Sequence, residues 1–342
     1  VPEAVRELGL EVIEVPMKAL AKEVDFGRPN MVALGLLAHW LDFCADEAGR
    51  LIDHTFSRKG ENIVKGSMGA FSSGFNEPNI VEARKDRERP EHCERQREAN
   101  RWDLSGNEGC GLGALRGGIR FAAAYPITPA SDLLEWLSPR LEKLGGSLVQ
   151  AEDELASINM VIGASFGGVP SMTATSGPGL ALMAEALGLS VAAEVPSVVV
   201  NVQRGGPSTG IPTKSEQVDL DIALHGMHGD APHLVLGALD HADCVLTTEW
   251  AVRLAEALQT VAIVLTDQNL AQSRAVIRKP AYRLPEIPER LVAGEEEEYR
   301  RYEITADGVS PMPIPGTPGT ANEADGQEHT ETGRPSTAAS DQ

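Results

Sequence analysis

Short apolar runs alternate with longer segments of helical spacing through the middle of the chain. The runs are SLVQ, SMTATS, SVVVNVQ, HLVLGAL and VAIVLTD, and they fall between residues 147 and 267. The segments between them, for example residues 153–167, repeat their apolar positions with the period of a helix. Strands that are apolar throughout and alternate with helices are typical of a parallel sheet covered on both faces. The pattern predicts an α/β domain of this kind over residues 106–285.

The segment YPITPASD, residues 125–132, ends another apolar run and contains two prolines. Proline fixes φ and drives the preceding residue toward extended geometry, so Tyr125 and Thr128 are both constrained. Locally the segment predicts a strand-to-helix turn, with Ser131 or Asp132 as the helix cap. A simple turn does not explain why one threonine hydroxyl should be held so stiffly.

The regions on either side of the predicted sheet have different patterns. Residues 1–76 contain a predicted strand, LEVIEVPM, a buried helix, NMVALGLLAHWLDF, and two amphipathic helices, which is too little sheet for a complete α/β domain. Residues 77–105 are mostly charged and predict a solvated helix or an interdomain linker. Residues 286–342 are acidic and rich in Pro and Gly, which predicts an extended tail.

Composition narrows the class of protein. The formal net charge of −20 argues against nucleic acid as a partner, because phosphate-binding surfaces are basic. The four cysteines are scattered, form no C-x-x-C pair and carry no metal signature, which favours a reducing compartment such as the cytoplasm. No apolar run approaches the ~20 residues of a membrane helix, so no membrane partner is expected.

The glycine-rich stretch GNEGCGLGALRGG, residues 106–118, could be taken for a nucleotide-binding loop. No strand is predicted before it, and no acidic ribose partner follows a second strand. The sequence therefore favours a helix whose small residues pack closely against a neighbour, and it argues against a nicotinamide-dependent dehydrogenase.

Polar residues collect directly after the predicted strands, where open parallel sheets bind their ligands. Glu154 opens a very apolar helix, so it is either a solvated first-turn acid or a partly desolvated functional one. Arg204 follows the strand SVVVNVQ, where a guanidinium suits either a carboxylate ligand or an interdomain ion pair. The residue pattern alone leaves both pairs of alternatives open.

Residues 106–280 resemble the pyrimidine-binding part of the α subunit of 2-oxoacid:ferredoxin oxidoreductases, which are thiamine diphosphate enzymes. The resemblance is carried by YPITPAS, AEDELASI, IGASFGGVPSMTATSGPG, NVQRGGPSTGIPTKSEQ and HGD. Residues 1–76 look like the C-terminal part of the γ domain that some members fuse in front of α. The whole chain is most similar to the 2-oxoglutarate branch of this family.

The resemblance implies specific roles. Glu154 would be the catalytic residue that hydrogen-bonds the aminopyrimidine ring of thiamine diphosphate, while Thr128 and Arg204 would hold the 2-oxoacid. The cofactor pocket would also be lined by Tyr125, Pro126, Ile127 and Ser176. The two prolines would then serve to place the Thr128 hydroxyl beside the reacting carbon. Lys214, in the loop after Arg204, is a candidate for the second carboxylate of 2-oxoglutarate, with a plain surface lysine as the alternative.

The implied reaction converts 2-oxoglutarate, coenzyme A and oxidised ferredoxin to succinyl-CoA, CO2 and reduced ferredoxin, or runs in reverse. The family holds Mg2+ and diphosphate through a Gly-Asp-Gly…Asn motif, which this sequence lacks. The resemblance therefore implies a β-type partner chain that supplies Mg2+ and a 4Fe–4S cluster, shares the cofactor and forms a dimer of αβ heterodimers. The alternatives are a pyruvate or branched-chain 2-oxoacid enzyme of the same family and a non-catalytic assembly subunit.

Overall fold

The computed structural model describes residues 9, 12–85, 100–209, 211, 214–280, 290–294 and 299–341. The chain forms two compact units, residues 1–98 and 99–342. Within the described ranges, none of the helices combines the length and the apolar character needed to cross a lipid bilayer.

The described part of the first unit is helical. Its helices are α1 (Met17–Lys22), α2 (Pro29–Trp40), α3 (Ala45–Phe56), α4 (Glu61–Phe75) and α5 (Pro78–Lys85). Helices α2 and α4 cross closely at two glycines: a Cβ at Gly35 would overlap the Phe71 carbonyl, and a Cβ at Gly74 would overlap the Val32 carbonyl. The three predicted helices are confirmed as α2, α3 and α4. The first of them is only partly buried, because Leu34 and Leu37 of α2 are exposed.

The predicted strand LEVIEVPM is wrong in its described part. Residues 12–16 are irregular, and Met17 begins helix α1. A strand needs a neighbour for its backbone N–H and C=O groups, and the described residues of the first unit offer none. The alternation of acidic and apolar residues was therefore a misleading signal.

The second unit contains the predicted parallel sheet. In chain order its elements are β1 (Arg101–Ser105), α6 (Gly106–Gly117), β2 (Phe121–Ala124), α7 (Ser131–Lys143), β3 (Ser147–Gln150), α8 (Glu154–Phe166), β4 (Ser171–Thr175), α9 (Gly177–Ala192), β5 (Ser197–Gln203), α10 (Leu220–His225), β6 (Leu234–Gly237), α11 (His241–Leu258), β7 (Val261–Asp267), α12 (Gln268–Gln272) and β8 (Arg274–Arg278). The sheet is six-stranded in the order β3-β2-β4-β5-β7-β6, and every pair in it is parallel. This confirms the predicted α/β class.

The core consists of two clusters, one on each face of the sheet. Along β5, Val198, Val200 and Val202 belong to the cluster that contains residues of α6, α7 and α11, whereas Val199 belongs to the cluster that contains residues of α8 and α9. Successive side chains of a strand point to opposite faces, so a sheet covered on both faces needs apolar residues at every position. This is why the central strands β5 and β7 are buried along almost their whole length and are largely apolar.

Strand β1 pairs in antiparallel fashion with β8 and forms a separate two-stranded ribbon. The predicted charged linker ended at residue 105, and no strand was expected before the glycine-rich stretch; the structure corrects both points. Arg274 on β8 bonds the Asp103 carboxylate at 3.3 Å and Glu108 at 3.1 Å. The charges of this segment predict that it is solvated. In the structure its Asp103 and the nearby Glu108 are paired with Arg274, about 170 positions further along the chain.

The glycine-rich stretch is helix α6, as predicted, and it packs closely on α11. A Cβ at Gly113 would overlap the Val245 carbonyl, and a Cβ at Gly117 would come within 2.6 Å of the Val252 Cβ. The helix starts at a capping box: Glu108 N donates to Ser105 Oγ at 3.2 Å, and Ser105 N donates to the Glu108 carboxylate at 3.0 Å. The glycines therefore serve close contact between α6 and α11, and no phosphate-binding role is needed to explain them.

Residues 290–294 and 299–341, here called the C-terminal segment, are largely irregular but pack onto the second unit. Arg290 makes a bidentate bond to Glu256 at 2.7 and 3.0 Å and donates to the Ser165 carbonyl at 2.8 Å. Arg301, only 1% exposed, donates to the Glu194 carbonyl at 2.8 Å and the Glu194 carboxylate at 3.0 Å. Both guanidinium groups sit at helix C-termini, where a positive charge is favoured. The predicted tail is therefore anchored by buried arginines.

We expect Arg301→Ala to lower the free energy of unfolding by about 2–3 kcal/mol, because it removes charge-assisted hydrogen bonds made by a fully buried group. The neighbouring Arg300, 44% exposed and paired with Glu331, provides the matched control. Exposed pairs contribute about 0–1 kcal/mol, so Arg300→Ala should change little. Urea denaturation of both variants measures the difference. Equal effects would contradict the anchoring role of Arg301.

Candidate functional site

The connection from β2 to α7 is a stiff elbow held from two sides. The Thr128–Pro129 peptide bond is cis. The Asn107 side-chain amide, on α6, donates to the Pro129 carbonyl at 2.9 Å in a buried position. The Ile127 carbonyl accepts hydrogen bonds from Ala130 N at 2.8 Å and Ser131 N at 3.1 Å. The elbow is thus tied to the helix that follows it and to α6.

The prediction that Ser131 or Asp132 caps this helix is wrong. Ala130 is the N-cap residue, and no side chain caps α7. The Ile127 carbonyl already occupies the first N–H groups, so no side-chain cap is needed. The Asp132 carboxylate instead accepts a hydrogen bond from Gln272 Nε2 at 3.1 Å.

Arg204 connects the end of β5 to the elbow. Its Nη1 donates to the Thr128 carbonyl at 2.8 Å, and its Nη2 donates to the Thr209 carbonyl at 3.1 Å. Its Nε is buried and has no hydrogen-bond partner among the described residues. The structure therefore brings together two predicted substrate-binding residues that are 76 positions apart. A guanidinium has five donors, so these two bonds leave it with donors for an anion.

Glu154 is buried at the start of α8. Asp153 caps this helix, because its carboxylate accepts from Ala156 N at 2.7 Å. Glu154 itself is 7% exposed, and its Oε1 would lie 3.0 Å from a Cβ at Gly179. Within the described ranges, no hydrogen bond or ion pair involves its carboxylate. Its carboxylate oxygens keep some contact with solvent and are acceptors available to a ligand that donates a hydrogen bond.

Ser176 lies between β4 and α9 and carries a second unsatisfied group. It is the N-cap residue of α9, yet its side chain makes no capping hydrogen bond. Its hydroxyl is buried and finds no hydrogen-bond partner in the part of the chain that the structure describes. Gly179, on which the Glu154 carboxylate packs, is three residues further along the same helix. Glu154 and Ser176 therefore both lie at the first turn of α9.

The remaining predicted site residues lie around this edge of the sheet. Ile127 packs against the core, whereas Tyr125 and Pro126, which follow β2 directly, are exposed. The side chain of Lys214 is exposed, and its carbonyl accepts from Gly205 N at 2.9 Å. The backbone after Arg204 therefore folds back and places Lys214 beside it.

Sequence reasoning missed Asp219, a buried acid at the same edge. It is 6% exposed, and its carboxylate accepts from Asn201 Nδ2 at 2.9 Å. Its backbone N–H donates to Gln203 Oε1 at 2.9 Å. Burial raises the pKa of the Asp219 carboxyl, and the hydrogen bond from Asn201 opposes that rise. The available signal was two amide side chains, Asn201 and Gln203, in an otherwise apolar strand.

Comparison with known proteins gives consistent matches. A family model described as pyruvate flavodoxin/ferredoxin oxidoreductase, thiamine diphosphate-binding, matches residues 112–342. The α subunit of 2-oxoacid:ferredoxin oxidoreductase 1 from Sulfurisphaera tokodaii is 40% identical over 252 residues, which is 69% of this chain and 40% of that protein. The 2-oxoglutarate oxidoreductase subunit KorA of Mycobacterium tuberculosis is 38% identical over 307 residues, which is 87% of this chain and 46% of that protein.

A solved structure also matches at high similarity. It is 2-oxoglutarate:ferredoxin oxidoreductase from Magnetococcus marinus with 2-oxoglutarate, coenzyme A and succinyl-CoA bound. Its sequence is 41% identical, the TM-score is 0.81, and the match covers 96% of this chain and 57% of that one. The chain thus spans less than half of the length of the two curated relatives named above.

We expect Gly179→Ala to destabilise the second unit by about 1–3 kcal/mol, because the added Cβ overlaps Thr175 Oγ1 and crowds Glu154. Gly188, further along α9, has open space around the position of a Cβ and provides the matched control. Gly188→Ala should stabilise the helix by about 0.5–1 kcal/mol. Thermal unfolding of both variants checks the prediction, and a neutral Gly179→Ala would show that the contact with Glu154 is loose.

Proposed function

Because the chain belongs to the thiamine diphosphate-binding family of pyruvate flavodoxin/ferredoxin oxidoreductases, we propose that it is the α-type subunit of a 2-oxoglutarate:ferredoxin oxidoreductase. This enzyme converts 2-oxoglutarate, coenzyme A and oxidised ferredoxin to succinyl-CoA, CO2 and reduced ferredoxin, or catalyses the reverse reaction. The observation that carries the proposal is Glu154, whose largely buried side chain lies at the first turn of α9 and whose carboxylate has no hydrogen-bond partner among the described residues. The relatives from M. tuberculosis and M. marinus, both named for 2-oxoglutarate, support the choice of substrate.

The residues at the sheet edge fit the aminopyrimidine half of thiamine diphosphate. Glu154 offers a carboxylate without a donor, and Ser176 offers a buried hydroxyl without a partner. We assign both to the cofactor, together with Tyr125, Pro126 and Ile127 as lining residues. When bound, thiamine diphosphate supplies the nucleophilic carbon and the electron sink for decarboxylation of a 2-oxoacid. Glu154 holds a proton against the aminopyrimidine ring, a role that requires an ionisable group.

We assign Thr128 and Arg204 to the 2-oxoacid. The Arg204 guanidinium is already directed to the elbow by its bond to the Thr128 carbonyl, and its remaining donors suit a carboxylate. The elbow is held by Asn107 and by the Ile127 carbonyl, so the backbone that carries the Thr128 side chain has a defined position. Positioning of this kind matters, because a displacement of about 1 Å costs as much as ~100-fold in rate.

The proposed enzyme includes a second type of chain. The relatives are named as α or KorA subunits, which supports a β-type partner. We assign Mg2+ and a 4Fe–4S cluster to that partner and place thiamine diphosphate between the two chains, in a dimer of αβ heterodimers that uses ferredoxin and coenzyme A. We place the complex in the cytoplasm, which fits the free thiols of Cys44, Cys110 and Cys244.

We also propose that residues 1–76 are the end of a γ-type domain, as the resemblance implied. The family model begins at residue 112, so it does not bear on them. The match to the M. marinus structure covers 96% of the chain and therefore includes residues of the first unit. The second candidate function is the oxidation of pyruvate, which the description of the family favours.

We expect Glu154→Gln to lower the turnover of the complete complex by at least ~100-fold, because an amide does not exchange a proton with the cofactor ring. The matched control is Glu152→Gln, which changes an exposed acid two residues earlier. The complex is purified through a tag on this chain and assayed for ferredoxin reduction with 2-oxoglutarate, coenzyme A and Mg2+–thiamine diphosphate. Circular dichroism establishes that both variants are folded. Near-normal turnover of Glu154→Gln would refute the assignment.

Lys214→Ala separates the two candidate substrates. We expect it to raise the KM for 2-oxoglutarate about 3–10-fold and the KM for pyruvate less than about twofold, because only 2-oxoglutarate has a second carboxylate. Lys143→Ala, at an exposed lysine at the end of α7, is the control and should leave both KM values unchanged. Equal effects of Lys214→Ala on the two substrates would remove Lys214 from the substrate site.

A further inference from the structure

We propose that Asp219 is a positioning residue: with Asn201 and Gln203 it forms a clasp that holds the β5–α10 connection, and through it Arg204, in the binding geometry. The functional part of this inference rests on the proposed function, whereas the structural part does not. The three side chains are called the Asp219 clasp below.

The Asp219 clasp holds the end of the β5–α10 connection against β5, the strand from which the connection starts. Arg204 is the first residue after β5, and Asp219 is the last residue before α10. From the end of β5, Asn201 donates to the Asp219 carboxylate and Gln203 accepts from its backbone N–H, both at 2.9 Å. Both side chains are buried, as is Asp219. Hydrogen bonds in such a setting are strongly directional, and breaking one leaves a buried polar group unpaired.

The backbone inside the connection is tied in the same way. Gly205 N donates to the Lys214 carbonyl at 2.9 Å, so the chain returns beside Arg204 before it reaches Asp219. The Arg204 guanidinium also bonds the Thr209 carbonyl, which lies within the connection. If the hydrogen bonds of Asp219 were lost, the end of the connection would be free to move. The Thr209 carbonyl, which orients Arg204, would then move with it.

The Asp219 carboxylate also lies against the start of α9. A Cβ at Gly177, the first residue of this helix, would overlap both carboxylate oxygens. The negative charge there is favoured by the helix N-terminus. Asp219 therefore joins the β5–α10 connection to the helix turn at which Glu154 and Ser176 lie, which is a position from which it can influence the site without belonging to it.

A role of Asp219 in core stability alone and a role in positioning Arg204 lead to different predictions. If it only stabilises the core, its replacement should lower the melting temperature and weaken cofactor and substrate binding together. If it positions Arg204, the 2-oxoacid should be affected and thiamine diphosphate should not, because Glu154 is held separately by the Asp153-capped start of α8. The connection should also become accessible to protease.

The first experiment uses the chain alone and does not depend on its activity. Trypsin cleaves after Lys214, which lies within the connection. We expect Asp219→Ala to raise the rate of cleavage at the Lys214–Ser215 bond about tenfold, the change that the loss of one charge-assisted hydrogen bond implies. The matched control is Asp221→Ala, since Asp221 is an exposed acid two residues further on. It should leave the rate unchanged.

If Asp219→Ala folds poorly, exchanging the donor and the acceptor of the Asn201–Asp219 hydrogen bond provides a second test. The double variant Asn201→Asp with Asp219→Asn reverses the roles of the two side chains and preserves the hydrogen bond between them. It should restore protection from trypsin, whereas Asn201→Asp alone places two carboxylates together and should be as sensitive as Asp219→Ala. Equal sensitivity of the double variant and Asn201→Asp would overturn the clasp.

The second experiment uses the tagged complete complex. We expect Asp219→Ala to raise the KM for 2-oxoglutarate about tenfold and to leave the half-saturating concentration of thiamine diphosphate within about twofold. Similar rises in the KM for 2-oxoglutarate and in the half-saturating concentration of thiamine diphosphate would overturn the positioning role. They would show that Asp219 only stabilises the core. If the wild-type complex does not oxidise 2-oxoglutarate, the proposed function fails, and the trypsin result decides the structural part of the inference on its own.

Discussion

The first turn of α9 has no room for side chains at residues 177 and 179, and the candidate site depends on that constraint. The Asp219 carboxylate fills the space beside Gly177, and Thr175 Oγ1 together with the Glu154 side chain fills the space beside Gly179. Two buried acids from different parts of the chain thus approach one helix start. Glycine is required there because of this close approach, and the backbone N-terminus of the helix favours the negative charges.

The two acids differ in what satisfies them. Asp219 accepts a hydrogen bond from Asn201, which is the expected state of a buried polar group. Glu154 has no partner within the described part of the chain, and the hydroxyl of Ser176 nearby is also unpaired. Asp219 therefore belongs to the scaffold, whereas Glu154 and Ser176 present polar groups that are still available for a hydrogen bond.

Helices α8 and α9 are held at their opposite ends by the C-terminal segment. Arg290 bonds the Ser165 carbonyl near the end of α8, and Arg301 bonds the Ala193 and Glu194 carbonyls at the end of α9. Each helix thus carries acidic groups at its start and a guanidinium at its end, which complements the helix dipole at both ends. The segment that contributes no strand or helix to the fold therefore helps to fix the two helices whose first turns form the site.

The sequence by itself determined most of the strands and helices, because these follow from local periodicity. It also predicted that Glu154, Ser176 and Arg204 gather at the carboxyl edge of the sheet, since they come soon after predicted strands. Tertiary structure alone decided strand β1, the contacts of Asp219 and the anchoring of Arg290 and Arg301. Each of these depends on a partner that is distant in sequence, such as Glu256 for Arg290 or Glu194 for Arg301. A charged residue looks solvated in a sequence, and only the fold shows the opposite charge or the helix end that allows it to be buried.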